Sequence, residues 1–318
     1  MKNLTSSMAT AVIAGVTFIS PLALAAPEIS GTTASVHEIK HAAPKTAEPK
    51  NKETQQVSSQ VQAQVEKSEA DKRAQLLKDA QAAVDQTHKA LDALDQGKKD
   101  EALAALEQVT GKLDLILARD PKLALAPVGV STVIMDLYAS PETVKKAVAQ
   151  ARVFLDNGNV QQARSLLDSL ASESDLEVTN IPLATYPDAI KAIAPLIDAG
   201  KIDEAKTRLT AALNTLVIET YATPLPAVRA KAILDDAEKL AEKSGRSQED
   251  NKKLHDQIEA ARQQLKLGQV LGYGSREAYK PLYDQLDSIE KKTEGGKSGK
   301  GFFDQIQELL KSFRDRIS

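Results

Sequence analysis

The chain has 318 residues, of which 42% are hydrophobic, and this is enough for one large domain or two small ones. A formal net charge of −3 gives no broad cationic surface, so we expect no nucleic-acid partner. The absence of cysteine excludes disulfides, thiolate metal sites, cysteine nucleophiles and a lipid-modified N-terminal cysteine. Only 3% of the residues are aromatic, so the core must be built mainly from Ala, Leu, Val and Ile.

The first 25 residues are typical of a secretory signal peptide. Lys2 provides the positive start, residues 9–19 are apolar but too few to span a bilayer, and a small-residue pattern ends at Ala25. We therefore expect cleavage between Ala25 and Ala26, with a membrane anchor as the alternative interpretation. Because no later segment is long and uncharged enough to cross a membrane, the expected location is the periplasm, for a Gram-negative host.

Residues 26–66 are rich in Pro, Ala, Thr, Lys, Glu, Ser and Gln, with scattered single valines. No regular spacing forms an apolar face, so the composition predicts a disordered linker, with some nascent helix after Gln55. His37 and His41 lie at helical spacing, but no third ligand is near them. We interpret them as part of a solvated tail and predict no metal site.

From residue 67 onward, one phrase occurs three times: Leu or Ile, then Asp, any residue and Gly. The copies are residues 94–97, 155–158 and 197–200, and each Gly is followed by Ala five residues later and Leu nine residues later. Gly ends a helix because it enters the left-handed conformation without a Cβ clash. The phrase therefore predicts three antiparallel helical hairpins. Their glycines are 61 and then 42 residues apart, which argues against a solenoid of fixed period.

Three segments beside these hairpins are rich in β-branched residues and predict strands, at residues 123–138, 176–181 and 216–221. A proline near the next helix start follows each of them. An isolated strand leaves its backbone groups unpaired, so we expect the three to form one sheet. The predicted fold class is mainly α: an irregular bundle of antiparallel helical hairpins with a small, short-stranded β-sheet, in a domain of residues 67–294.

The last third of the chain predicts further helices. Ser247 and Asp250 resemble a capping box at the start of one helix, and Gly268, Gly272 and Gly274 predict a loop at its end.

Residues 295–318 predict a flexible basic linker followed by a C-terminal amphipathic helix. We expect this helix to dock on the protein's own core or on a second subunit. Peripheral membrane contact is less favoured because Asp304, Glu308 and Asp315 offset the basic residues of the helix.

The residues offer no clear catalytic, cofactor-binding or metal-binding constellation. Residues 295–300 resemble a phosphate-binding loop, but position 291 is Lys where that motif requires Gly. No His-Glu-x-x-His pair and no Gly-x-Ser-x-Gly elbow occur. We therefore predict no catalytic residues, no cofactor and no metal.

A candidate interaction surface is predicted instead. Residues 119–121 and 186–188 combine a rigid proline with charge beside an apolar segment, although ordinary helix-stop and helix-start chemistry also explains them. The C-terminal helix adds an apolar face that holds three of the five phenylalanines. The candidate residues are Arg119, Tyr186, Asp188, Tyr273, Phe302, Phe303 and Phe313.

Several strings together resemble the YfdX family of exported bacterial proteins, over roughly three quarters of the chain. They are residues 117–123 (LARDPKL), 183–190 (LATYPDAI), 264–266 with 271–274 (QLK, LGYG) and 295–303 (GGKSGKGFF). This resemblance implies a mostly helical periplasmic domain, an association with acid and other envelope stress, self-association and no established enzymatic activity. It implies no catalytic residues.

The resulting expectation is a non-enzymatic, exported, self-associating helical protein that acts in envelope or acid stress. It would do so by binding partly unfolded clients or apolar ligands. Two alternatives stay open: a peptide-binding adaptor that uses its hairpins, and an unrecognised hydrolase that uses carboxylates.

Overall fold

The computed structural model describes residues 48–317, with side chains as far as residue 313. The predicted signal peptide, its cleavage position and residues 26–47 of the predicted linker lie outside the described residues, as do His37 and His41. The elements follow in the order α1 (Lys52–Gln56), α2 (Ser58–Arg73), α3 (Lys78–Asp95), α4 (Lys99–Arg119), β1 (Leu125–Met135), α5 (Pro141–Asp156), α6 (Val160–Asp168), β2 (Glu173–Pro182), α7 (Tyr186–Lys191), α8 (Ala194–Asp198), α9 (Ile202–Leu213), β3 (Val217–Pro224), α10 (Leu225–Ala241), α11 (Gln248–Leu271), α12 (Arg276–Thr293) and α13 (Asp304–Ile317).

The three predicted hairpins are confirmed, as α3–α4, α5–α6 and α7–α9. Each begins its turn with the predicted glycine in the left-handed region, at φ +74° for Gly97 and Gly158 and +71° for Gly200. The turns share one hydrogen-bond pattern: the amide after the glycine donates to the carbonyl five residues earlier, at 2.8 Å in all three copies. This is the Schellman arrangement, which closes a helix end only where a residue accepts positive φ.

The first helix of the third hairpin differs from the prediction of one continuous helix. It is split into α7 and α8 around Ile193, and Pro195 follows the break. Proline has no amide hydrogen to donate to the carbonyl four residues earlier, so the helical ladder is interrupted at this point.

The three predicted strands form one antiparallel sheet in the order β1-β2-β3, so this prediction is also confirmed. Val130, Leu176 and Val178 lie on one face of the sheet and form a small apolar cluster with Leu76. The same face is covered by α2, where the Oε2 atom of Glu69 accepts a hydrogen bond of 2.8 Å from the Thr132 hydroxyl.

The prediction of a disordered linker is wrong for residues 48–66. This segment forms α1 and the first half of α2, and Val57, Val61 and Val65 are buried in the core. These valines are four residues apart, so on a helix they form one narrow apolar stripe. Polar residues between them hide the stripe from a composition-based interpretation, and α10 together with the sheet supplies its packing partners.

The helices α10 to α13 build the largest described core cluster around α10, which is buried along nearly its whole length. The capping box at the start of α11 is confirmed: the side chains of Ser247 and Asp250 each accept a hydrogen bond from the other's backbone amide. The predicted loop is wrong at Gly268, because α11 continues to Leu271. A Cβ at position 268 would lie 2.7 Å from the Tyr279 hydroxyl oxygen, so glycine there permits close packing between helices and not a turn.

The C-terminal helix α13 docks on the protein's own core. Phe303, Ile306, Leu310 and Phe313 are fully buried, and the ring of Phe313 meets that of Tyr279 edge-on with centroids 4.6 Å apart. The predicted flexible linker before α13 is held by Arg246, whose guanidinium donates to the carbonyl oxygens of Thr293 and Lys297.

Candidate interaction surface

The repeated phrase places its apolar residues in two different environments. The alanine after each glycine is fully buried in all three hairpins, at positions 102, 163 and 205. The alanine is therefore the apolar position of the phrase that is buried in every copy, whichever elements lie beside the hairpin.

The leucine or isoleucine that opens the phrase is buried in only two copies. Leu94 is 3% exposed and Ile197 is 1% exposed, whereas Leu155 is 48% exposed. The leucine nine residues after the glycine shows the same difference in burial between the copies. Leu106 is 3% exposed and Leu209 is 0% exposed, whereas Leu167 is 43% exposed.

Packing between hairpins explains why these leucines are buried in the first and third hairpins and exposed in the second. The first and third hairpins lie against each other through contacts of α3 with α9 and of α4 with α7 and α8, so each covers the other's leucines. The second hairpin instead contacts α11, mainly through α5. Within its helix α6, only Ala163 is buried among the described residues.

Other apolar side chains join these two on the second hairpin. Val153 and Val160 are 49% and 54% exposed, so four of the eight large apolar side chains that are exposed in the described part of the chain lie on α5–α6. Single exposed apolar residues need no explanation, but their concentration on one hairpin makes it a candidate interaction surface. We call Val153, Leu155, Val160 and Leu167 together the hairpin face, with Val153 and Leu155 projecting from different sides of α5.

The residues of the predicted interaction surface do not come together. Tyr186 is fully buried between the first and third hairpins, and its hydroxyl donates to the Thr87 hydroxyl at 3.0 Å. Burial raises the pKa of Tyr186 to about 12. Phe303 and Phe313 are also core residues, so the prediction of a surface role is wrong for these three.

The remaining predicted residues are at least partly accessible but lie in separate places. Arg119 pairs with Asp79 at 3.0 Å at the end of α4, and Asp188 is exposed on α7. The half-buried Tyr273 accepts a 2.8 Å hydrogen bond from the amide of Ser172 through its hydroxyl oxygen. Phe302 is partly buried under the ammonium of Lys292, 4.3 Å from the ring centroid.

The sequence does not predict the hairpin face, because the phrase follows the same pattern in all three copies. Its exposure depends on which elements lie beside each hairpin, and the phrase contains no information about neighbours. The one local signal is that Val153 and Leu155, two residues apart on a helix, cannot both face the same core.

An acidic stripe lies on the sheet face opposite α2. Glu173, Asp175 and Glu177 follow one another at every second position of β2, and Asp175 lies across from Val133 of β1 and Ala222 of β3. Burial raises the pKa of Asp175 to about 6, and the charges of Glu173 and Glu177 add to this effect. The Oδ1 atom of Asp175 is buried and has no hydrogen-bond partner among the described residues.

A second charged centre ties the N-terminal segment to the core. The carboxylate of Asp136 pairs with the buried guanidinium of Arg229 and with the Lys50 ammonium at 2.7 Å. Burial alone would raise the pKa of Asp136, but Arg229 and Lys50 outweigh it and lower the pKa. Because both partners are cations that hold the carboxylate charged, we assign this centre a structural role.

The described residues contain no group of three or more His, Cys, Asp or Glu side chains that could hold a metal ion. Nor is any described helix both long and apolar enough to cross a membrane. The carboxyl groups whose pKa is raised, those of Asp175 and Glu238, do not line any of the five main clefts formed by the described residues.

The structure belongs to the mainly α class of proteins: it combines three helical hairpins with one small three-stranded antiparallel sheet. Residues 83–222, which run from within α3 to within β3, match the family model described as YfdX protein. This region of the chain is therefore similar to the YfdX family. Two of the strings that carry the resemblance, residues 117–123 and 183–190, lie inside the matched region, and the other two lie beyond its end.

Among solved structures, the chain is similar to YfdX of Salmonella Typhi, with 16% sequence identity and a TM-score of 0.33. The similarity covers 47% of this chain and 93% of that chain. No curated protein matches the chain.

Proposed function

We propose that this protein is a non-enzymatic, exported, self-associating binding protein that acts in envelope or acid stress. In this proposal it holds apolar segments of partly unfolded clients or other apolar ligands. The hairpin face is the contact surface for clients and also for a second copy of the chain. The observation that carries the proposal is the exposure of Leu155 and Leu167, at positions that are buried in both other copies of the phrase.

The energetic argument rests on what the other two hairpins do with the same residues. Their leucines are removed from water by a neighbouring hairpin, and each fully buried leucine stabilises the fold by about 2 kcal/mol relative to an exposed one. The second hairpin forgoes this stabilisation in the isolated chain. A partner with apolar surface recovers it on binding, and an unfolded chain presents such surface.

A client-aggregation assay tests the proposal. Acid-unfolded malate dehydrogenase is returned to neutral pH with the protein present, and light scattering follows its aggregation. We expect Leu155→Ser together with Leu167→Ser to reduce the protection substantially and to lower the solution mass measured by multi-angle light scattering. The matched control, Leu115→Ser with Ile218→Ser, changes two apolar residues that are 50% and 55% exposed elsewhere and should protect as well as the unmodified protein.

Circular dichroism distinguishes loss of function from loss of fold, since neither pair of residues is buried. Equal protection by both variants would overturn the assignment of the hairpin face. Absence of protection by the unmodified protein would overturn the client-holding role itself.

A further inference from the structure

An open cleft of about 1120 Å³ lies between α5, α11 and α12. This volume is slightly above the range of about 300–1,000 Å³ that is typical of small-molecule sites. Six basic and three acidic side chains line it, a local net charge of 6 − 3 = +3. The chain as a whole has a formal net charge of −3, so the cleft is positively charged on a protein that is negatively charged overall.

Three of the six cations are already neutralised. Arg262 is 13% exposed and pairs with Glu259, Asp287 and Glu290, which fixes it as part of the wall. Lys145 pairs with Glu142 at 3.9 Å, and Lys280 pairs with Asp284 at 2.6 Å.

The other three are Arg152 of α5, Lys266 of α11 and Arg276 at the start of α12. All three are exposed and make no ion pair with any described residue. Cations from three different helices therefore surround one cleft without a counter-charge from those residues.

The wall between the cations is partly apolar. Val148 of α5 and Val270 of α11 line the cleft together with the ring of Tyr283. The Tyr283 hydroxyl donates to the Oε1 atom of Gln269 at 3.0 Å, which orients both side chains. Burial raises the pKa of Tyr283 to about 12, so the phenol stays protonated and adds no negative charge to the wall.

Two helix N-termini add to the positive potential. The 16-residue α5 begins at Pro141 and the 18-residue α12 begins at Arg276, and both ends line the cleft. Their aligned peptide dipoles favour an anion there, although Glu142 and Glu277 offset part of this effect. The start of α12 is also held in place: Gly274 has φ +116°, and a Cβ there would lie 3.1 Å from the Phe313 ring.

We propose that this cleft binds a small amphipathic anion, with its acidic head against Arg152, Lys266 and Arg276 and its apolar tail along Val148 and Val270. A simple inorganic anion would leave the apolar wall in contact with water, and a neutral apolar molecule would leave the three cations without a partner. Only a ligand with both parts matches the cleft. The site is separate from the hairpin face and does not depend on the proposed function.

Calorimetric titration with sodium decanoate tests the proposal. We expect decanoate to bind the unmodified protein, and Arg152→Gln with Lys266→Gln and Arg276→Gln to weaken binding by at least about tenfold, because charge-assisted contacts are lost. The matched control, Lys67→Gln with Lys122→Gln and Lys252→Gln, removes three exposed lysines outside the cleft and should bind decanoate normally. Decanol, which has the tail without the charge, should bind more weakly, and inorganic phosphate should not displace decanoate.

Three results would each overturn the proposal: undiminished binding by the cleft variant, equal affinity for decanol and decanoate, or displacement of decanoate by equimolar phosphate. If the cleft variant loses its helical circular dichroism, Lys266→Gln is compared with Lys252→Gln, about 21 Å away along the same helix. The cleft variant should protect clients normally, so failure of this site and failure of the hairpin face are distinguishable.

Discussion

Asp175 carries an unfavourable charge in the folded protein. Its carboxyl is half-buried between Glu173 and Glu177, and its pKa of about 6 lies above the value of 3.8 expected without the fold. Between these two values the unfolded chain has released the proton while the folded chain still holds it. The contribution of Asp175 to stability is therefore full below about pH 4 and is lost as the pH rises through about 6.

Asp175→Asn removes this charge and tests whether the charge stabilises or destabilises the folded protein. We expect the variant to be more stable than the unmodified protein at pH 7.5, by no more than about 1 kcal/mol because solvent screens a half-buried group. At pH 4 the two should be equal in urea unfolding. The control Asp256→Asn alters an exposed aspartate on α11 and should show no such pH-dependent gain. A variant less stable than the unmodified protein at pH 7.5 would show that the Asp175 charge is stabilising.

Gly268 shows how a glycine inside a helix can serve packing. Gly268→Ala improves helix propensity by about 1 kcal/mol, but the new methyl group would lie 2.7 Å from the Tyr279 hydroxyl oxygen. We expect the clash to dominate and the free energy of unfolding to fall by about 1 kcal/mol. Tyr279→Phe, combined with Gly268→Ala, should restore part of the loss.

Gly111→Ala is the matched control for this prediction. Position 111 lies within α4, and no atom lies within 4 Å of the Cβ it would gain. Only the propensity gain of about 1 kcal/mol applies there, so stability should rise. Equal gains at both positions would contradict the packing role of Gly268.

Single-residue features were predictable where their cause is local. The left-handed turns at Gly97, Gly158 and Gly200 and the capping box of Ser247 and Asp250 involve only neighbours along the chain. The sequence predicts a loop at Gly268, because the residue that packs closely against it, Tyr279, belongs to the next helix. The burial of Tyr186 was likewise not predictable from nearby residues, because its hydrogen-bond partner Thr87 lies 99 residues away along the chain.

At the scale of elements, the phrase predicts hairpins but does not predict how each hairpin is used. Leu209 of the third hairpin and Leu167 of the second occupy the same position after the glycine, yet one is fully buried and the other is 43% exposed. The two leucines therefore form a natural pair for measuring what the neighbouring hairpin contributes.

We expect Leu209→Ala to lower the free energy of unfolding by about 2–5 kcal/mol, because it leaves a cavity between hairpins. Leu167→Ala removes a side chain that is already in contact with water and should cost less than about 1 kcal/mol. Chemical denaturation of both variants measures the difference. Similar costs would mean that Leu167 is packed within the protein.

For the segment that forms α1 and α2, the sequence predicts a disordered linker with only nascent helix after Gln55, and the reason is physical. Val57, Val61 and Val65 form a stripe only one residue wide, and helix formation at residues 52–73 depends on α10 and the sheet as packing partners. The sheet was predictable because three β-branched segments flanked by turns need one another for hydrogen bonding. Its acidic outer face was not, because the alternation of Glu173, Asp175 and Glu177 becomes visible only once the strand bounds are known.

Across the described residues, the protein has two well-covered regions and one that is open. The first and third hairpins cover each other, α10 to α13 form the largest core cluster, and the second hairpin contacts α11 mainly through α5. The family match extends over residues 83–222 and so includes the open hairpin together with both covered ones. The central claim is that this open hairpin is the contact surface of the protein.

Site-specific photocrosslinking tests this claim most directly. A benzophenone side chain is placed at position 167 of the hairpin face or, as the control, at position 115, an equally accessible leucine on α4. Each protein is irradiated with acid-unfolded malate dehydrogenase returned to neutral pH. Strong crosslinks to the client from position 167 and weak ones from position 115 are the predicted result, and equal yields from both positions, or a higher yield from position 115, would contradict it.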